Sequence, residues 1–341
     1  MPVGTYGTVR GLTSDQIEGC HAEIVLANAY HLALRPGAET ISKLGGLHRF
    51  MGWQRPILTD SGGYQLFSLS DQVRIDENGA VFRSHYDGSP FELTPERAAE
   101  IQRLLGVDIG MVFDALTGKP GDREEAAQAA ARTVRWAKRT AQHVPVSDKT
   151  SMFAIMQGGL FEDLRTENAE ALIELDYPGY AVGGLSVGED PERTMETAES
   201  CVRLLPTDRP RYMMGMGTPE DLIRLAGWGY DMFDCVIPTR NARNGALFTR
   251  TGRISIRNAR HAEDAHPIDE RCTCFTCETH SRGYLHHLTK RGEMLAATLG
   301  TIHNVTFYQN LMSEIRAALA ENRFEQMSSE FLSEFHSQTE E

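Results

Sequence analysis

The chain has 341 residues, 41% of them hydrophobic and 24% charged, with a formal net charge of −13. This is the composition of a folded protein, sized for one large barrel-type domain with an insertion. No run approaches the ~18–20 apolar residues of a membrane span, Met1 to Arg10 lacks the apolar core of a secretion signal, and the negative mean field excludes indiscriminate coating of nucleic acid without excluding a local basic site; a cytoplasmic protein is expected.

Along the chain, short apolar runs ending in glycine or a polar residue recur at Met1–Thr5, Ile24–Tyr30, Ile57–Gly62, Ile109–Ala115, Met152–Gly158, Tyr180–Leu185, Tyr212–Gly217 and Met232–Thr239. Each is apolar on both parities, as strands buried on both faces of a parallel sheet must be. Helical patterns alternate with them. Thr94-Pro95-Glu96 opens one with a capping Thr, a Pro at the first helical position and an early acid. Glu124–Gln142, Asp163–Leu175 and Pro191–Leu205 follow, and Thr218-Pro219-Glu220-Asp221 repeats the start signal. Eight strands alternating with helices predict an α/β fold, a (β/α)8 TIM-type barrel over residues 1–239. Residues 72–91 read as a hairpin excursion turning at Asn78-Gly79. Residues 240–291 form a cysteine-bearing insertion after the eighth strand. Gly292–Glu321 reads as a long helix that closes the barrel within a C-terminal part, 292–327, and the acidic stretch 328–341 is expected to fray.

Active sites of such barrels lie at the carboxyl ends of the strands. The polar or special residues that end the runs are Asn28, Asp60, Asp114, Gln157, Gly184, Met214 and Asp234. Three carboxylates on one rim point to chemistry rather than to chance, because unpaired buried acids are costly. Asp60 stands in Thr59-Asp60-Ser61-Gly62-Gly63-Tyr64, where two glycines let a ligand approach the backbone and Tyr64 offers a stacking face. Asp234 at the end of the eighth strand fits a nucleophile at an anomeric carbon, or one half of an acid/base pair.

Cys272-x-Cys274-x2-Cys277 has the spacing of thiolates around one tetrahedral ion, with a fourth ligand to come from His280, His286, His287 or His303. Such a set leaves no open position, so the expected Zn2+ is structural. From Cys235 to Ala262 the chain carries Arg240, Arg243, Arg250, Arg253, Arg257 and Arg260 and no acid, a local reversal of sign that marks a phosphate-facing surface. Gly215-Met216-Gly217 before the Thr218 helix start adds backbone N–H groups suited to a phosphate. A carboxylate nucleophile, a second acid, a stacking aromatic and amide readers in one cup, with an arginine strip leading away, suit glycosyl transfer on a nucleic-acid base.

The sequence resembles the tRNA-guanine transglycosylases of the bacterial queuine tRNA-ribosyltransferase type over essentially its whole length. The resemblance rests on LTDSGGYQ (Leu58–Gln65), AVGGLSVGE (Ala181–Glu189), RYMMGMG (Arg211–Gly217), DMFDCVIPTRNARNG (Asp231–Gly245) and the cysteine cluster with His303. It implies that guanine at the wobble position of tRNAs with a GUN anticodon is exchanged for 7-aminomethyl-7-deazaguanine through a covalent enzyme–tRNA intermediate. It further implies Asp234 as nucleophile and Asp60 as general acid/base. Asp60, Ser61, Gly62 and Gly63 would line the base site, where Asp114, Gln157, Gly184 and Leu185 read the guanine-like edge and Tyr64 and Met214 sandwich the ring. Gly215, Met216, Gly217, Thr218, Pro219, Glu220 and Asp221, and the run Thr239, Arg240, Asn241, Ala242 and Arg243, match tRNA-contacting stretches. Cys272, Cys274, Cys277 and His303 would hold the zinc, Val3 and Val187 match bacterial members beside the base pocket, and a homodimer is implied with the zinc region near the contact. Two departures stand out. The family's antiparallel segment before the first strand does not precede Met1-Pro2-Val3-Gly4-Thr5, which is expected to uncover one end of the barrel and lower stability unless the recorded start is internal. Ala115-Leu116 replaces the family's Glu-Cys after Asp114, and 117–123 diverges, which puts support around Asp114 in question. The competing readings are a zinc-stabilised tRNA-binding subunit without turnover and a barrel glycoside hydrolase, in which neither the arginine strip nor the zinc knuckle has a role.

Overall fold

The computed structural model describes residues 1–65, 73–117, 121–144, 149–186 and 188–337. Seven parallel strands curl in the order β1 (Val25–Ala27), β2 (Ile57–Thr59), β6 (Ile109–Met111), β7 (Ser151–Met156), β8 (Tyr180–Val182), β9 (Arg211–Met213) and β10 (Met232–Phe233). The remaining β-element of the expected eight is Met1–Thr5, which supplies bridges in place of a full strand: Pro2 pairs with Cys235 and Val3 with Leu26, both parallel. Those bridges join the last strand of the sheet to the first. Alternation along each strand turns Leu26, Leu58, Met111, Phe153, Ile155, Ala181 and Tyr212 into one cluster with Val3, as in a barrel filled by its own side chains.

The helices start where the sequence signals them. The Thr94 hydroxyl accepts from the Arg97 N–H at 3.2 Å ahead of the helix Pro95–Leu105. Asp122 caps Arg123–His143, Asp190 caps Pro191–Leu204, and Thr218 and Asp221 form a reciprocal capping box on Pro219–Trp228.

The excursion after β2 is larger than one hairpin. β3 (Arg74–Ile75), β4 (Ala80–Arg83) and β5 (Pro90–Leu93) make a three-stranded antiparallel sheet. The expected turn at Asn78-Gly79 joins β3 to β4, and residue 72 lies outside the described residues. Within 240–291, Ala242, Leu247, Ile254, Ile256, Ile268, Leu285 and Leu288 share a small core with Leu299 of the long helix Met294–Ala320.

The C-terminal stretch does not fray as its composition suggests. Residues 328–335 continue a helix, Phe324–Phe335, that buries Met327, Phe331 and Phe335; spacing of four puts these on one face. Residues 338–341 lie outside the described residues, as do 118–120 of the divergent loop and Val187. Among the described residues no helix is long and apolar enough to cross a membrane.

Candidate active site

The residues that end the strands converge on one rim. Asp60, directly after β2, is 8% exposed and receives three donors: the Asn28 amide and the Gln65 amide (2.7 Å) on Oδ2, and the Ala29 N–H (2.9 Å) on Oδ1. Burial outweighs those donors and pushes the carboxyl up to about 6, with the charge of Asp234 adding to the rise. Asp234, directly after β10, is half-buried. Its Oδ1 accepts from the Tyr212 hydroxyl at 2.5 Å and the Gly215 N–H at 2.9 Å, while Oδ2 has no such bond among the described residues. The fully buried Tyr212 hydroxyl is held well above its ordinary pKa by burial and by Asp234, so it acts as a donor. One oxygen of Asp234 is thereby fixed and the other left available to an electrophile.

A second network reads polar edges. Asp114 accepts from the Ser61 hydroxyl (2.8 Å) and the Gln157 amide (2.7 Å), and burial raises its pKa. Close approach explains two of the glycines: a Cβ on Gly63 would lie 3.0 Å from Asp114 Oδ1, and one on Gly184, at φ +66°, would lie 2.3 Å from Gln157 Oε1. Leu185 is buried beside them, Met214 is half-buried, and Tyr64 is 54% exposed. Ala115 does not leave Asp114 unsupported: its N–H donates to the Thr133 hydroxyl at 3.0 Å, from a helix packed behind the strand.

The proposed RNA stretches are divided by burial. Gly215 and Arg240 are exposed, and Thr218, Glu220, Asp221, Asn241 and Arg243 are half-buried. Met216, Gly217, Pro219, Thr239 and Ala242 are buried, so their side chains shape the backbone rather than meet a ligand. Thr218 and Asp221 are engaged with each other in the helix cap. The arginine strip is also not uniform: Arg250 turns inward to Glu314 (2.6 Å) and Glu334 (2.9 Å) and lies 4.5 Å over the Phe331 ring. That corrects its expected place on a phosphate-facing surface.

Of the four candidate histidines, only His303 meets the thiols. The ligand atoms of Cys272, Cys274, Cys277 and His303 all lie within 4.8 Å of one another, and His303 Nδ1 is 3.7 Å from Cys274 Sγ and 3.3 Å from Cys277 Sγ. Such separations suit donors around one tetrahedral ion. The His303 Nε2–H donates to the Phe248 carbonyl at 2.6 Å, which leaves Nδ1 as the ligand atom. These four residues could hold a metal ion.

Sequence reasoning passed over Gln65, Tyr212, Asn168 and Glu189. Asn168 Oδ1 accepts from the Gln157 N–H at 3.0 Å, and Glu189 accepts from the Ser186 N–H. Tyr212 had a legible signal, since it shares strand parity with Met214 and faces the same interior. Gln65 lay inside a quoted motif, but a side chain five residues past Asp60 gives no sign of folding back onto it.

The chain matches the family described as queuine tRNA-ribosyltransferase over residues 1–337. It is 52% identical over 335 residues to a queuine tRNA-ribosyltransferase of Novosphingobium aromaticivorans, covering 97% of this chain and 90% of that protein. A protein of the same description from Desulforapulum autotrophicum is 50% identical over 332 residues, covering 97% and 90%. One from Caldanaerobacter subterraneus is 50% identical over 341 residues, covering 100% and 91%. With a family match that spans the rim residues, the capped helices and the cysteine cluster together, the chain belongs to the queuine tRNA-ribosyltransferase family.

Proposed function

We propose that this protein is a tRNA-guanine transglycosylase that replaces guanine at the wobble position of GUN-anticodon tRNAs with 7-aminomethyl-7-deazaguanine. The observation that carries the proposal is the pairing on one rim of two carboxyl groups in different environments. Asp234 is half-exposed with one oxygen pinned and one available, and Asp60 is buried with a pKa of about 6. A buried carboxyl that holds its proton suits the proton donor, and a carboxylate oxygen open to the site suits the nucleophile. Asp234 Oδ2 attacks C1′ of the target nucleoside, the C1′–N9 bond breaks, and Asp60 gives its proton to the departing guanine. The incoming base returns a proton to Asp60 and takes C1′ from Asp234. Asp114 and Gln157, locked to each other, present polar groups that a base lacking the matching edge leaves unpaired. The target base must leave its stack to reach them.

The metal is Zn2+, since three thiolates and an imidazole without an open position favour a structural zinc. A homodimer is supported by the exposed apolar side chains of Phe275, Tyr284, Met294 and Leu295, Met294 at 87%, since exposed apolar surface often marks a protein contact. A tRNA substrate places the enzyme in the cytoplasm. Binding without turnover is not favoured, because a tRNA-binding subunit has no use for an acid held near neutrality beside a poised carboxylate. Exchange of radiolabelled guanine into unmodified tRNA, wild type beside Asp234→Asn, tests the proposal. Incorporation and a denaturant-resistant tRNA adduct are expected from the wild type alone; incorporation by both proteins removes Asp234 as nucleophile, and incorporation by neither removes the reaction.

A further inference from the structure

Tyr6 and Tyr86, from two separate loops, meet at the outer side of a ring cluster that includes Tyr30. The Tyr86 hydroxyl donates to that of Tyr6 at 3.3 Å. Rings interlock behind them: Tyr6 lies edge-on to His31 at 4.9 Å, His85 is 4.0 Å from Tyr86, and Tyr30 stacks on His85 at 5.8 Å while bonding its Nδ1 at 3.1 Å. The cluster is tied to the reaction site, because Tyr30 follows Ala29, whose N–H donates to Asp60. Its outer side is open. Tyr6 is 41% exposed, His85 is exposed, and the Arg35 guanidinium sits 4.5 Å over the Tyr86 ring, 3.8 Å from Asp87. Its inner side is polar and incomplete: His31 is 8% exposed, and its Nδ1 has no hydrogen-bond partner among the described residues.

Stability alone gives little reason for two tyrosines to meet half in water around a buried imidazole nitrogen with no partner. Exposed rings with a guanidinium are the means by which proteins hold unpaired RNA bases. We propose that Tyr6 and Tyr86 form a stacking platform for an unpaired base that flanks the one entering the cup. Extruding the target base breaks its stacking with its neighbours, and the platform restores a face to one of them. Arg35, which covers one face of Tyr86, adds a cation for the adjoining phosphate. The inference rests on the proposed transglycosylation and deepens it by naming where the neighbouring nucleotide is held.

The test uses the full-length, zinc-loaded protein and an anticodon stem-loop carrying 2-aminopurine singly at each position flanking the target guanosine. Wild type is expected to quench the fluorescence at one of the two positions on binding. Tyr6→Ala and Tyr86→Leu are each expected to relieve the quenching and to raise the KM for RNA about fivefold or more. Tyr6 is exposed and Tyr86→Leu keeps an apolar side chain, and a melting curve for each variant separates misfolding from lost stacking. Quenching that is absent in wild type, or unchanged in both variants, overturns the platform, including the case in which this patch serves a protein partner instead. Quenching is read on binding, before any bond breaks. In the wild type, a covalent adduct formed without quenching therefore overturns the platform, and quenching without an adduct overturns the reaction.

Discussion

At Asp60 two forces oppose each other, and their balance sets both chemistry and stability. Three donors favour the ionised form, yet burial dominates and lifts the carboxyl from 3.8 to about 6. A native pKa above the unfolded one means that the folded state binds the proton more tightly, so stability is lost as pH rises between the two values. The cost above pH 6 is about 3 kcal/mol. Asp60→Asn is expected to melt above wild type at pH 8, with the gain shrinking as pH falls from 6 toward 4, while guanine exchange is lost; equal melting at pH 8 would contradict the dominance of burial. Gln65→Leu works in the other direction on the same group. It deletes a donor to the ionised form, so the pKa of Asp60 rises further. In the proposed mechanism Asp60 acts as an acid in the first half-reaction, so kcat/KM for tRNA is expected to fall as pH passes its pKa. That fall is expected at higher pH in Gln65→Leu, and a profile superimposable on wild type would show that the Gln65 contact does not tune the acid.

Among the elements, the long helix Met294–Ala320 does the most to join the cysteine-bearing insertion to the barrel. His303 turns one nitrogen toward the thiols, with which it could hold a metal ion, and bonds the Phe248 carbonyl with the other. Asn304 takes the Phe248 N–H at 3.0 Å and donates to the carbonyls of Pro238 (2.9 Å) and Ala246 (3.1 Å). The backbone N–H and C=O of one residue, Phe248, are thus clamped by neighbouring helical residues. Asn304→Ala strands an N–H and two carbonyls in a buried place, and a loss of about 3 kcal/mol or more in denaturant unfolding is expected. Cys274→Ser, or chelation of the proposed zinc, is expected to lower the melting temperature before it alters turnover in the protein that remains folded; a variant that lost its metal and kept its melting temperature would speak against a structural ion. The barrel was legible because every strand reads as a short apolar run closed by a polar residue, which also delivered Asp60, Asp114, Gln157 and Asp234. The thiol triad was legible for the same kind of reason, as local spacing carries its chemistry. What escaped was whatever depends on distant parts meeting. The helix Phe324–Phe335 hides a period of four among serines and glutamates, so its mean composition reads as tail. The third strand of the β3–β5 sheet, the donors on Asp60 and the inward turn of Arg250 all depend on partners that no local pattern names.

Over the whole molecule, a charge of −13 repels a polyanion, so RNA can dock only where the sign reverses locally and is held in one orientation. The arginines after Asp234 provide that reversal, but the fold splits them into two kinds. Arg243 is half-buried among like charges: burial first, and then Arg10 and Arg240, lower its pKa. A phosphate placed there relieves that repulsion. Arg250 is already neutralised by Glu314 and Glu334 and stacks on Phe331, itself 1% exposed. The two positions therefore have opposite expected signatures despite standing seven residues apart. Arg243→Ala is expected to weaken tRNA binding and to flatten the dependence of log K on log salt by about one unit, the loss of one released counterion. Arg250→Ala is expected to leave the salt slope as it is and to lower stability, since it leaves two carboxylates facing each other over the C-terminal helix. Measuring binding of each variant between 50 and 200 mM salt, beside its melting temperature, separates the two. An unchanged slope for Arg243→Ala, or a flattened one for Arg250→Ala, would mean that the RNA takes a different path across this surface from the one that leads past Arg240 into the cup.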